Sequence, residues 1–281
     1  MREKTFRSPA KINLCLHVLG RLENGYHALA MAMQRVDLCD EIRLRLMPGG
    51  VINCRCGDLA LPPGAENIAA RAARLVLDAV GTDVGVDIDI DKRIPVAAGL
   101  GGGSSNAATV LLGLTEMLDS TLGRGELQEL AAQLGADVPF FIFQQPAWAT
   151  GIGTDLSPLP SLPDVAYLLV NPGIAVSTAS VYQSLRLTKG GPLANLPRFS
   201  VVTREDLCGA LHNDLEAVTL ERYPVLQSIK QRLLEEGAMG ALMSGSGATV
   251  FGVFANLAAA QRVAQRLRAD QGWQTYPVSP L

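Results

Sequence analysis

Between an alternating apolar strand pattern and an apolar helix pattern, the chain carries PVAAGLGGGSSN, Pro95 to Asn106. Glycines at 99, 101, 102 and 103 constrain the fold more than any other feature. Each glycine inside an element costs about 0.5–1 kcal/mol relative to alanine, and a plain turn needs fewer of them. Glycines let successive backbone N–H groups point into one concavity. The N-terminus of the helix behind them adds about half a positive charge. Ser104 and Ser105 bring hydroxyls that can cap that helix, bond a phosphate oxygen or help place Mg²⁺. The segment therefore reads as a phosphate site rather than as a strand-to-helix turn with serine caps.

Several kinds of phosphate site are excluded. A Walker A loop ends in GKS or GKT, and no lysine follows here. The dinucleotide fingerprint fails because Ser104 stands where its third glycine belongs, and the loop does not open a first βαβ unit. The protein-kinase signatures HRD and DFG are absent.

The rest of the chain narrows the class. Its 281 residues suffice for one large domain or two ordinary ones, and 48% hydrophobic with 18% charged residues supplies a core. A net charge of −3 gives no drive toward phosphate backbones, so nucleic acid is not expected as a partner. Five cysteines without a partner cluster suggest neither a disulfide framework nor a zinc site, and a reducing cytoplasm is the expected location. The charged start MREKTFRSPAK does not read as a signal peptide. The uncharged stretches 94–115 and 237–261 are broken by GLGGGSSN and SGSG, so no membrane span is expected.

Alternation at Ile12, Leu14, Leu16 and Val18 predicts a strand that ends at an Asn24-Gly25 turn. Further strands are expected around Ile42–Leu46, Val84–Ile90, Tyr167–Val170, Ala241–Met243 and Val250–Phe254, with a short one at the C-terminus. Helices are expected from Asn67 to Gly81, and over Ala107–Leu118, Glu126–Leu134, His212–Leu220, Val225–Glu235 and Ala258–Ala269. Lys189 to Ser200 reads as an exposed loop. The composition shift at PLPSLPD places a domain boundary near residues 155 and 156. The order of elements is α+β rather than regular βαβ.

Three segments together carry a resemblance. PAKINLCLHVLGRLENGYH, GLGGGSSNAAT with GADVPFF, and LMSGSGATVFGVF occur in this order. They resemble the motifs of the galactokinase, homoserine kinase, mevalonate kinase and phosphomevalonate kinase superfamily. The likeness covers almost the whole chain and is weakest over Lys189–Ser200. It implies a two-domain α+β small-molecule kinase with its active site in the inter-domain cleft. Residues 1–155 would form the ATP-binding domain, and 156–281 the domain that closes on the substrate. Within the superfamily, the first two segments resemble the branch that phosphorylates the 2-hydroxyl of a cytidine-diphosphate-linked methylerythritol, a step of the non-mevalonate isoprenoid route. A sister kinase acting on homoserine or a mevalonate-type alcohol, or a catalytically silent nucleotide sensor, remains as an alternative.

The resemblance also assigns residues. Lys11 alone would read as a strand-end lysine snorkelling to water, and Asp137 as a turn aspartate; matched to the family, they become the catalytic pair. Asp137 accepts the acceptor's hydroxyl proton, while Lys11 orients that carboxylate and offsets charge on the attacking oxygen. ATP is expected on Pro95, Val96, Ala97, Ala98, Gly99, Leu100, Gly101, Gly102, Gly103, Ser104 and Ser105. Asn67, otherwise a plain N-cap, and Lys92 are expected on the adenine side. Mg²⁺ is expected to be held mainly by the nucleotide, with no metal site of the protein's own, and the three histidines 17, 27 and 212 read as scattered. On the acceptor side the resemblance places Asn13, Tyr26 and His27 at the cytosine and sugar, with Thr178 and Tyr182 near the base. Tyr182 stands where the family often has phenylalanine. Tyr26 and Tyr182 would stack on the base and His27 would read its edge. Ser244, Gly245, Ser246 and Gly247 would position the acceptor. A side chain at Gly101 or Gly102 is expected to block ATP with little effect on melting temperature. The expected partners are thus the small-molecule acceptor and ATP, with the chain a monomer or weak homodimer.

Overall fold

Two long strands, β1 (Glu3–Arg21) and β2 (His27–Pro48), open the computed structural model, which describes residues 2–23, 25–57, 66–185 and 199–281. Asn24 of the expected turn and most of the expected 189–200 loop lie outside the described residues. Compact packing divides the chain into two interleaved units. One comprises Met1–Ala10, Leu38–Ile94 and Gly101–Gln144; the other comprises Lys11–Asp37, Pro95–Leu100 and Gln145–Leu281. A single cut at residue 155 puts residues 11–37 with the first set, whereas they pack with the second.

In the first unit, β4 (Val84–Asp91) pairs antiparallel with the end of β2, from Glu41 opposite Asp91 to Pro48 opposite Val84. Strand β3 (Ile52–Arg55) runs parallel to β4. The alternating Val86, Ile88 and Ile90 are buried. Four helices complete the unit: α1 (Ile68–Val80), α2 (Gly102–Met117), α3 (Arg124–Leu134) and α4 (Val138–Phe143). Helix α1 follows its sequence signals. Asn67 Oδ1 accepts from Ala69 N at 2.9 Å, Ala69, Ala72, Ala73 and Val76 are buried, and left-handed Gly81 (φ 71°) ends it. Helix α2 starts inside the glycine loop, five residues before the expected Ala107. Left-handed Gly101 precedes it, and Gly113 in its middle lets it come close to Phe6 and Leu44, where a Cβ would sit 2.9–3.1 Å from their side chains.

In the second unit, an antiparallel sheet has the order β11 (Gln274–Val278), β7 (Ala166–Asn171), β10 (Val250–Phe254), β9 (Gly240–Met243). Helices α8 (Val225–Glu235) and α9 (Leu257–Gln271) pack on it. The first half of β2 pairs with β5 (Ala147–Thr150), which pairs in turn with β6 (Asp155–Pro158). Two short helices, α5 (Thr178–Ser184) and α6 (Arg204–Gly209), were not legible from periodicity.

The helix expected from His212 is a correction. His212–Asn213 form β8, parallel to β1 with Cys15 opposite His212, and α7 spans Glu216–Arg222. The cause is polar. Asn213 Oδ1 accepts from Leu215 N, and Asp214 Oδ2 accepts from Val18 N at 2.6 Å, so these side chains hold backbone outside a helix. Likewise β1 is not half-buried as its alternation suggested: Lys11, Asn13 and Cys15 are buried as well as Ile12, Leu14 and Leu16.

Candidate active site

The glycine loop has a repeated backbone feature. Ala97, Gly99 and Gly101 take positive φ values of 51°, 76° and 67°, with no positive φ at the residues between them. Alternation of left-handed and ordinary residues turns successive N–H groups toward one side, the geometry of an anion-binding nest. Ala97 has no glycine's freedom, so its conformation costs about 1–2 kcal/mol and must be enforced by its surroundings. Its carbonyl accepts from Val176 N at 3.2 Å, and that of Ala98 accepts from Thr249 N at 3.2 Å.

The glycines do different jobs. A Cβ on Gly99 would overlap the carbonyl oxygen of Ser244, so this glycine permits backbone-to-backbone contact with the SGSG loop. A Cβ on Gly102 would lie 3.1 Å from both Lys92 Nζ and Ile94 Cγ2. A bulky residue there would crowd Lys92 and Ile94, so the expectation of little thermal effect at Gly102 is revised. Gly103 meets only Ile68 Cγ2 at 3.9 Å and is exposed on the first turn of α2. Ser104 is half-buried there, whereas Ser105 is fully buried and accepts from Ser8 Oγ at 2.8 Å. That difference makes Ser104 the better placed hydroxyl for a bound phosphate.

A buried polar chain fixes the loop's approach from β4. Asp40, wholly buried, accepts from the backbone N–H groups of Arg93 at 2.8 Å and Ile94 at 2.9 Å, and pairs with Lys92 Nζ. Asn106 Nδ2 donates to Asp40 Oδ2 and to Ser8 Oγ. The chain Lys92–Asp40–Asn106–Ser8–Ser105 thus ties the strand end to the first turns of α2. Lys92 carries this ion pair, and Asn67 its helix cap, whatever else each touches. Sequence reasoning missed Asp40 and Asn106, because Asp40 is one of several charged residues in the second half of β2, beside Asp37, Glu41 and Arg43, and nothing local sets it apart.

In the other unit, Lys11 is 4% exposed and donates to Asn13 Oδ1 at 2.6 Å. It is not a snorkelling lysine. Its backbone N–H donates to Leu100 O, and Asn13 N donates to Ser244 Oγ, which itself donates to Gly99 O at 3.0 Å. Asn213 Nδ2 donates to the carbonyls of Met243 and Gly245, both at 2.8 Å, and Thr178 and Ser246 share a 2.9 Å hydroxyl contact. Asn213, also missed from sequence, is the clamp of the SGSG turn.

His27 and Tyr182 stack, with ring centroids 5.0 Å apart and planes 27° from parallel, while Tyr26 is 59% exposed. So His27 offers an aromatic face as well as an edge, and it is the ring on Tyr182. Burial, then Arg21, hold its pKa below the ordinary histidine value, which favours the neutral ring. Every acceptor-side candidate, from Asn13 to Gly247, falls in this second unit. Asp137 lies in the first, at the entry to α4, where its side chain does not cap the helix.

No described helix is long and apolar enough to cross a membrane. The GHMP kinases N terminal domain matches residues 67–145, and the GHMP kinases C terminal domain matches residues 193–271. A protein of Syntrophotalea carbinolica named 4-diphosphocytidyl-2-C-methyl-D-erythritol kinase is 55% identical over 278 residues, 99% of each chain. A crystal structure of 4-(cytidine 5'-diphospho)-2C-methyl-D-erythritol kinase superposes with a TM-score of 0.79 at 38% identity, covering 98% of this chain and 99% of that one. Homoserine kinase from Cytophaga hutchinsonii, at 18% identity and a TM-score of 0.77 over 99% of this chain and 95% of its own, shares the fold. The full-length identity, the motif order and the paired domain matches agree: the chain belongs to the 4-diphosphocytidyl-2-C-methyl-D-erythritol kinase family of the GHMP kinases.

Proposed function

We propose that the protein transfers the γ-phosphoryl group of ATP to the 2-hydroxyl of 4-diphosphocytidyl-2-C-methyl-D-erythritol. The observation that carries the phosphate side is the alternation of left-handed residues at 97, 99 and 101 ahead of the N-terminus of α2. Residues 1–155 supply most of the nucleotide side, and the acceptor side draws on 156–281 together with Lys11–Asp37. The loop offers hydroxyls and no carboxylate, a donor set that suits a magnesium ion held mainly by phosphate oxygens and water. Bound there, the ion would offset phosphate charge during transfer. Asp137 takes the hydroxyl proton, and Lys11, held by Asn13, steadies the carboxylate and the attacking oxygen. The protein works in the cytoplasm as a monomer or weak homodimer, with no nucleic-acid partner.

The test is a panel of hydroxyl acceptors with labelled ATP. Label should pass to the cytidine-diphosphate acceptor and not to homoserine, mevalonate or a phosphate-only methylerythritol. Equal use of the phosphate-only compound would favour a sister-kinase activity, and no transfer to any acceptor would favour the nucleotide sensor.

Base choice gives a sharper prediction. Stacking on a base is worth about 1–3 kcal/mol but does not distinguish bases. A neutral imidazole has one donor and one acceptor, which can match the cytosine edge and leave uracil partly unpaired. Tyr182→Ala should therefore raise KM for cytidine and uridine forms of the acceptor alike. His27→Ala, which removes the ring stacked on Tyr182, should raise both but the cytidine form more. In the wild type, preference for cytidine should fall as pH drops through the lowered pKa of His27, because the protonated ring has lost its acceptor. A cytidine-to-uridine ratio untouched by His27→Ala would remove the edge-reading role.

A further inference from the structure

The parallel pairing of β8 with β1 brings together residues that the sequence scatters. His17 and His212 stack with centroids 4.4 Å apart, and Asp214 Oδ1 lies 2.6 Å from His212 Nε2. One ligand atom each from His17, His212 and Asp214 lie within 4.8 Å of one another. This overturns the reading of the histidines as scattered. We propose that these three side chains form a site for a first-row transition-metal dication of the Zn²⁺ type.

Two imidazoles and one carboxylate are a donor set suited to such ions and ill-suited to Mg²⁺, which takes oxygen ligands. Metal–ligand bonds of about 2.0–2.1 Å place tetrahedral ligand atoms about 3.3 Å apart, so side-chain rotation alone would close the set. Asp214 is already aimed: its second oxygen accepts from Val18 N, while its backbone N–H donates to Leu16 O at 3.0 Å. His212 and Asp214 side chains are 48% and 33% exposed, which gives the ion access and room for a water as fourth ligand. For Nε2 of His212 to ligate, the neutral ring carries its N–H on Nδ1, and the hydrogen bond to Asp214 gives way to the two bonds to the ion. The ion would fasten β8 to the end of β1. Asn213, between two of its ligands in sequence, holds Met243 O and Gly245 O. Metal loading would therefore stiffen the support of the SGSG turn.

The test uses metal-free full-length protein without nucleotide, titrated with Zn²⁺ by calorimetry and with Co²⁺ by absorption. One Zn²⁺ per chain is expected, with Co²⁺ bands of nitrogen and oxygen coordination and no thiolate charge-transfer band. His17→Gln and His212→Gln should each weaken Zn²⁺ at least about tenfold, and at equal Zn²⁺ the melting temperature of the wild type should rise more than that of either variant. Histidine ring signals in the wild-type NMR spectrum should shift for His17 and His212 on Zn²⁺ addition, a readout that needs no variant. Unaltered binding in both variants, a thiolate band, unmoved ring signals, or no binding below millimolar Zn²⁺ would each overturn the site.

Discussion

Asp137→Asn should bind ATP normally and lose at least about 10²-fold in kcat, the lower range of what a positioned acid–base group contributes. The substitution keeps the shape of the side chain and removes the basic carboxylate. The fold should not suffer, because α4 is anchored by the buried Val138, Pro139, Phe140 and Phe141 rather than by a cap from Asp137. Lys11→Met should cut turnover by a similar factor. It should also cost stability, since Asn13 Oδ1 loses a buried donor, at about 1–3 kcal/mol. The double variant should be little worse than either single one, because both groups act on one proton. Stopped-flow turnover with a separate ATP-binding titration checks this. Near-normal turnover in Asp137→Asn would remove the proposed base, and multiplicative losses in the double variant would mean that the two residues act apart.

What could be read from the sequence was what is local. Helix α1 needed only Asn67, a run of small apolar residues at helical spacing, and Gly81, all inside one stretch. The left-handed glycine loop and the start of α2 were legible for the same reason: the glycines and the helix they start are neighbours. The missed residues act at a distance. Asp40 has meaning only beside Lys92, Arg93, Ile94 and Asn106, and Asn213 only beside Met243 and Gly245. Strands β5 and β6 are four residues each, too short for a period to declare itself. The His17 and His212 encounter depends on a two-residue parallel bridge that no local pattern announces. Residue types from the family motifs singled out Lys11 as a candidate, yet only the fold shows that it is buried and bonded to Asn13.

The contrast between Gly99 and Gly103 separates docking of the loop from binding by it. Gly99→Ala places a methyl group against the Ser244 carbonyl and forces alanine into a left-handed conformation at φ 76°. Overpacking costs about 1–3 kcal/mol and the left-handed backbone about 1–2 kcal/mol. The methyl group meets backbone, which cannot rotate away as a side chain could. Gly99→Ala should therefore lower the melting temperature by many degrees and disturb both the phosphate loop and the SGSG turn that Ser244 Oγ ties to it. Gly103→Ala should do the reverse. Its Cβ meets only ordinary van der Waals contact, and alanine in the first turn of α2 gains up to about 1 kcal/mol of helix propensity. Stability should hold or rise. If phosphate oxygens come up against the bare backbone of this turn, the same methyl group should raise the KM for ATP at least several-fold and leave the KM for the acceptor unchanged. Melting curves and initial rates on the two variants decide the matter. A stable Gly103→Ala protein with an unchanged KM for ATP would leave the exposed glycine without a ligand to explain it, and the nest would then have to bind its phosphate nearer Gly101.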